Sequence, residues 1–331
     1  MDEKVIPLQP PTGLAGYGPL ALQPSLGRWE GFTYAGPSGS RSYFVYTPAG
    51  YTTDRCVAMV VMLHGCTQTA AESAAGTHWN PLADEHEFVV VYPQQGDADN
   101  ALSCWNWFVP EHQERGSGEA AIIAGITGQV MTNDTRWNID PGRVYIAGLS
   151  AGAAMATILA VTYPDLYSAV GVHSGLEYQA AIEGPAGVAA MKNGGPDPVE
   201  QGEAAFQAMG GRAHVMPTIV FHSTADSVVN RVNGDQVVRQ WMETNRRASN
   251  NTYQPDFTQP TTANEDLVNC LPYTMSRWND TQGGPIQEYW LVTGMDHAWS
   301  GGAAAGSYAD TRGLEATKAM WAFFAKHRLP G

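Results

Sequence analysis

The sequence predicts an α/β fold, a mostly parallel central sheet flanked by helices on both faces. Three observations carry that prediction. The runs Val57-Ala58-Met59-Val60-Val61-Met62-Leu63 and Phe88-Val89-Val90-Val91-Tyr92-Pro93 are apolar without alternation. A strand reads this way when both of its faces meet apolar partners, as in the middle of a parallel sheet. Strand-like and helix-like stretches then alternate along the chain, which implies right-handed crossovers between parallel strands. Finally, Val144-Tyr145-Ile146-Ala147 leads through Gly148-Leu149-Ser150-Ala151-Gly152 into Ala153-Ala154-Met155-Ala156-Thr157-Ile158-Leu159-Ala160. That is a buried strand, a tight turn and a small-residue helix.

Taken in order, residues 1–25 are rich in Pro, Gly and Leu and read as an irregular lead-in. Strands are expected at 28–35 and 41–48, joined by a Gly-Pro-Ser-Gly turn. The strand at 57–63 ends on His64-Gly65-Cys66-Thr67-Gln68-Thr69, and a helix at 79–86 leads to the strand at 88–93. After the aromatic segment Cys104-Trp105-Asn106-Trp107-Phe108 comes a long helix at 117–134. The strand and helix around Ser150 fill 143–163, and a short strand follows at 169–175. Residues 176–212 lack a clear period and read as an insertion near the site with short helices. A strand at 218–222 and a helix at 233–246 resume the alternation. Residues 248–285, with Cys270, read as a second, polar and irregular insertion. The last strand is placed at 287–293 and a closing helix at 309–327, whose Leu314, Met320, Trp321, Phe323 and Phe324 suit a face packed on the sheet. No repeat or clean linker divides the chain, so a single domain over 1–331 is expected.

Composition narrows the function. The formal net charge of −14, with 32 acidic against 18 basic residues, argues against nucleic acid and anionic membrane surfaces as partners. No window offers the ~18 consecutive apolar residues of a membrane span. The start, Met1-Asp2-Glu3-Lys4-Val5-Ile6-Pro7, lacks the basic and apolar regions of a signal peptide. Either the protein is intracellular or a leader has been removed. The cysteines are Cys56, Cys66, Cys104 and Cys270, and an even count in a Gly- and Trp-rich chain fits a secreted or periplasmic protein with one or two bridges. Three complete pairings exist and sequence alone selects none; the alternative is four buried thiols in a cytosolic enzyme. There is no H-E-x-x-H, paired C-x-x-C or Walker loop, so no metal or nucleotide cofactor is expected.

The chemistry centres on Ser150. In its strand-turn-helix context G-x-S-x-G is a nucleophile elbow. The turn is so sharp that its neighbours must be small, as Gly148, Ala151 and Gly152 are. The serine then projects its hydroxyl at a helix N-terminus, where free N–H groups favour developing negative charge. A serine hydroxyl also needs a base, and the base needs an acid to orient it. Asp226 directly follows the strand at 218–222, and His297 directly follows the last strand. The order Ser150, Asp226, His297 is the one this topology requires. Asp296 and Asp235 are rival acids; the first adjoins the histidine and should point elsewhere, the second lies in a helix. His173 and His222 are rival bases at strand ends, with structural hydrogen bonding the expected role. His64, in a strand-end His-Gly pair, is expected to brace its loop. The oxyanion donors are expected to be the backbone N–H groups of Ala151 and Cys66, because Gly65 lets the chain turn the next N–H inward. The Cys66 side chain is a candidate partner for Cys104, a bond that would tie the oxyanion loop to Trp105-Asn106-Trp107.

Four motifs occur together and in order: His64-Gly65-Cys66-Thr67-Gln68, Cys104-Trp105-Asn106-Trp107-Phe108, Gly148-Leu149-Ser150-Ala151-Gly152 and His297-Ala298-Trp299-Ser300-Gly301-Gly302. With them the chain resembles the polyhydroxybutyrate-depolymerase-type esterases of the α/β-hydrolase fold, from the first strand to the closing helix. The resemblance implies a cofactor-free serine esterase with Ser150, Asp226 and His297 on the triad positions. Its members include polyester depolymerases, feruloyl esterases and acetylxylan esterases, which these motifs do not separate. None of the 331 residues reads as a separate substrate-binding domain or Thr-rich linker, so efficient attack on crystalline polymer is not the expectation. Trp105, Trp107 and Trp299, with Tyr178, are expected to form a flat aromatic surface for an apolar polyester or a phenolic acyl group. With ten Trp in the chain, some must instead be core. The expected substrate is a short-chain hydroxyalkanoate polyester, with feruloyl or acetyl esters as the alternative. A non-catalytic hydrolase-like binding protein is the reading of another class.

Overall fold

The computed structural model describes residues 26–268 and 271–330. The lead-in at 1–25 and Cys270 lie outside the described residues. Ten strands form one sheet. In chain order they are β1 (Arg28–Gly36), β2 (Gly39–Thr47), β3 (Val57–Leu63), β4 (Val89–Pro93), β5 (Ile139–Leu149), β6 (Ala169–His173), β7 (Thr218–Ser223), β8 (Thr262–Val268), β9 (Leu271–Asn279) and β10 (Pro285–Val292). Their spatial order is β1-β2-β4-β3-β5-β6-β7-β10-β9-β8. The six central strands, β4 to β10, pair in parallel, and antiparallel strands close both ends. This is the mostly parallel sheet that the unalternating apolar runs predict, in the α/β-hydrolase arrangement that the resemblance implies.

The two faces separate by the period of two that a strand imposes. On β3, Met59, Val61 and Leu63 join one core and Val60 and Met62 the other. The first core lies under α3 (Gly118–Met131), α4 (Ala151–Thr162) and α7 (Val232–Ala248). The second lies under α1 (Ala70–Thr77), α2 (Trp79–His86) and α8 (Ala316–Phe324). There Trp321 stacks on Phe88 at 4.0 Å and Phe324 on Tyr145 at 4.9 Å. The insertion at 176–212 contains α5 (Gly184–Asn193) and α6 (Pro198–Met209). Asp197 caps α6 by accepting from the Val199 N–H, and Pro198 occupies the first turn, where its missing N–H costs nothing.

Two expectations need correction. The stretch 248–285 is not irregular throughout, because β8 and β9 form a hairpin that extends the sheet through β10. Among the described residues of the hairpin Tyr273, Met275 and Trp278 are buried, while Thr262 to Glu265 are exposed, and that polar run disguised a strand as a loop. The closing helix begins at Ala316 rather than at 309, because Ala309–Asp310 (β12) pairs in parallel with Trp299–Ser300 (β11). Among the described residues no helix is long and apolar enough to cross a membrane.

Candidate active site

β5 runs between β3 and β6 and delivers Ser150 at its C-terminal end. Ser150 has φ 58° and ψ −122°, a backbone conformation that side chains rarely adopt. The surroundings enforce it. A Cβ on Gly148 would lie 2.3 Å from the Gly152 backbone, and one on Gly152 would lie 2.3 Å from the Leu63 carbonyl oxygen. Only glycine admits helix and strand this close. The Ser150 N–H donates to the His173 carbonyl at 2.9 Å. Ala151, the first residue of α4, has an N–H with no acceptor inside the helix.

β7 and β10 are parallel neighbours, so the loops that leave their C-terminal ends meet. His297 Nδ1 lies 2.8 Å from Asp226 Oδ2 and 3.0 Å from Oδ1. The Asp226 carboxylate is fully buried and accepts from the Val228 and Val229 N–H groups at 3.0 and 2.8 Å. Burial opposes its charge, but the His297 hydrogen bond, the nearby His222 and the Val229 N–H together hold its pKa below the usual value. Ser223 fastens the two loops by donating its hydroxyl to the Met295 carbonyl.

The rivals have other partners. Asp296 is exposed and accepts from the Ser227 N–H and hydroxyl and from the His297 N–H. Asp235 accepts from the Tyr289 hydroxyl and Arg231. His222 lies 2.8 Å from the Val229 carbonyl, to which its Nε2–H donates. His173 accepts the Ser300 N–H and is pushed down to about 3 by burial and by the neighbouring His222 and His297.

The loop after β3 lies across from the elbow. Its Gly65 N–H donates to Gln68 Oε1 at 2.9 Å, and its Thr67 N–H donates to the Leu102 carbonyl at 2.7 Å. Among the described residues these bonds leave the intervening Cys66 N–H uncommitted. Cys66 and Cys104 form a disulfide, which ties this loop to the aromatic segment.

A cavity of about 510 Å³ opens over Ser150 and His297. Cys66, Trp107, Phe108, Met191 and Tyr308 contribute to a mainly apolar wall. Leu102, Val188, Val228 and Tyr308 also line it and remain 61, 55, 41 and 44% exposed, so they form an apolar rim. Of the expected aromatic surface only Trp107 faces this space. Trp105 and Trp299 are core residues, 0 and 1% exposed, with indole N–H groups on the His64 carbonyl and Thr317 hydroxyl. Tyr178 is also buried and donates to the Gln113 carbonyl. Sequence reasoning passed over Phe108, Leu102, Val188, Met191, Val228 and Tyr308. Among the described residues no group of three or more His, Cys, Asp or Glu side chains is placed to hold a metal ion.

Sheet order, elbow and apolar cavity define a protein of the α/β-hydrolase class. A family model described as Esterase PHB depolymerase matches residues 41–252, and the chain belongs to that family. It is 34% identical over 261 residues to poly(3-hydroxyalkanoate) depolymerase C of Paucimonas lemoignei; the match covers 78% of this chain but only 58% of that protein. It is 27% identical to acetylxylan esterase A of Talaromyces purpureogenus, over 83% of this chain and 70% of that one. Feruloyl esterase B of Neurospora crassa is 28% identical over 62% of this chain and 70% of its own. Among solved structures, an acetyl xylan esterase from Aspergillus awamori superposes with a TM-score of 0.72 at 19% identity, covering 91% of this chain and all of that one, a likeness of fold.

Proposed function

We propose that this chain is a serine carboxylic-ester hydrolase whose preferred substrate is an aliphatic polyester of the poly(3-hydroxybutyrate) type. The observation that carries the chemistry is His297, hydrogen-bonded to the buried Asp226 carboxylate and sharing one cavity wall with Ser150. The Asp226 contact occupies Nδ1 and leaves Nε2 for the serine. Ser150 Oγ attacks the ester carbonyl carbon as His297 Nε2 takes its proton. The Ala151 and Cys66 N–H groups hold the oxyanion, and His297 returns the proton to the leaving alkoxide. Water, deprotonated by His297, then releases the acyl group. Asp226 stays ionised throughout, which its lowered pKa favours.

The polymer preference rests on the rim. Four exposed apolar side chains around a mainly apolar cavity suit a surface that must lie against an apolar solid. The family and the Paucimonas lemoignei relative point the same way. The disulfide supports an oxidising compartment, outside the cytoplasm. One sheet joining β1 to β10 supports a single catalytic domain.

The test is release of soluble 3-hydroxybutyrate products from amorphous poly(3-hydroxybutyrate), with Ser150→Ala as blank. Release above the blank is expected. No release from protein that still cleaves a p-nitrophenyl ester would move the substrate to feruloyl or acetyl esters, the activities named for the fungal relatives.

A further inference from the structure

His64 follows β3 and is fully buried, and its ring has two partners of opposite kind. Nδ1 lies 2.8 Å from the Gly65 carbonyl oxygen, and Nε2 lies 3.0 Å from the Gln95 backbone nitrogen. A carbonyl oxygen only accepts and an amide N–H only donates. Nδ1 therefore carries the proton and Nε2 is bare. Burial lowers the pKa to about 4, so the ring is neutral at neutral pH.

The carbonyl held by Nδ1–H belongs to the Gly65–Cys66 peptide. In a trans peptide the C=O and N–H point in opposite directions. Fixing the oxygen on the buried ring aims the Cys66 N–H the other way, toward the cavity that Cys66 and Ser150 share. The Gln68 N–H donates to the same oxygen at 3.3 Å. Gln95, the partner of the bare nitrogen, is itself held. Its Oε1 accepts from Arg41 at 2.8 Å, and its amide donates to the Cys104 carbonyl at 2.9 Å and to the buried Glu119 carboxylate. Glu119 also accepts from the Asn106 N–H at 2.7 Å. The ring is thus registered against the same segment to which the disulfide fastens Cys66.

We propose that His64 is the positioning residue of the oxyanion hole, and that its Nδ1–H tautomer sets the direction of the Cys66 N–H. This rests on the reading of Cys66 as an oxyanion donor. His64 moves no proton during turnover; it holds a peptide plane so that no reorientation is needed when the oxyanion forms.

Two substitutions separate the ring's functions. In His64→Asn the amide nitrogen replaces Nδ1 and still donates to Gly65. In His64→Gln the amide reaches the Nε2 position, accepts from Gln95 and leaves the Gly65 carbonyl without its ring donor. On a p-nitrophenyl ester, His64→Gln is expected to lose on the order of 10²-fold in kcat, as for one oxyanion donor, with KM nearly unchanged. Its affinity for a trifluoromethyl ketone, which forms a tetrahedral oxyanion, should fall in parallel, and His64→Asn should retain most of both. Equal loss in the two variants, or a loss confined to KM, would overturn the proposal. Should either variant fail to fold, long-range ¹H–¹⁵N correlation spectra of the unaltered protein still decide. A protonated Nδ1 and bare Nε2 on His64 are expected, and the opposite tautomer overturns the proposal. Absence of Ser150-dependent turnover in the unaltered protein would instead remove the esterase reading itself.

Discussion

Glu177, in the loop after β6, carries a carboxyl that the fold keeps neutral. It is 2% exposed, and among the described residues neither of its buried side-chain oxygens has a hydrogen-bond partner. A Cβ on Gly195 would lie 2.8 Å from its Oε1, so the carboxyl is pressed against the link between α5 and α6. Burial first, and the charge of Asp197 second, push its pKa up from 4.5 to about 9. Between those two values the native protein holds a proton that the unfolded chain has released. Stability therefore falls as pH rises through that window and is level above it. At about 1.4 kcal/mol per unit, the cost at pH 7 is about 3 kcal/mol. Glu177→Gln keeps the shape and removes the titration. Urea unfolding of both proteins at pH 5, 7 and 8.5 is the assay. The variant's advantage should be under about 1 kcal/mol at pH 5, about 3 at pH 7 and about 5 at pH 8.5. An advantage that does not change with pH, or a variant less stable throughout, would refute the reasoning.

Other consequences follow from the same geometry. Asp226→Asn should lower kcat about 10³–10⁴-fold with little change in KM, whereas Asp296→Asn, an exposed residue that bonds Ser227 and the His297 backbone N–H rather than the His297 ring, should stay within about threefold of the parent. Cys104→Ser opens the disulfide across a sequence separation of 38 residues. It should cost roughly 3–4 kcal/mol in urea unfolding and, with Cys66 as the proposed oxyanion donor, lower kcat more than KM, because the loop that carries Cys66 loses its tie. Replacing the rim residues Leu102, Val188 and Val228 together by Ser should reduce product release from amorphous polyester on the order of tenfold, while p-nitrophenyl acetate hydrolysis is kept. Equal loss on both substrates would place those residues in the chemistry rather than in adsorption.

The elbow was legible because its constraint is local: Gly148, Ser150 and Gly152 are contiguous, and the steric demand of the turn falls on those residues. The pairing of Asp226 with His297 was legible because each leaves a strand that reads as buried, and parallel topology brings strand ends together. The cavity wall was not. Aromatic identity does not distinguish Trp107, which faces the cavity, from Trp105 and Trp299, which fill the core two residues from other site positions. The rim is assembled from three separate loops and helix α5, and nothing local to Leu102, Val188, Val228 or Tyr308 marks them as neighbours. The β8–β9 hairpin was missed for a related reason. At the sheet edge β8 exposes Thr262 to Glu265, so its composition is that of a loop.

Covalent labelling of the intact protein with a p-nitrophenyl alkylphosphonate tests the esterase assignment most directly, because this ester traps an activated serine as a stable tetrahedral adduct. One equivalent of p-nitrophenol should be released, peptide mapping should place the phosphonyl group on Ser150, and ester turnover should stop in proportion to labelling. Ester turnover that survives in the Ser150→Ala protein, or a label carried by another residue, would contradict the assignment.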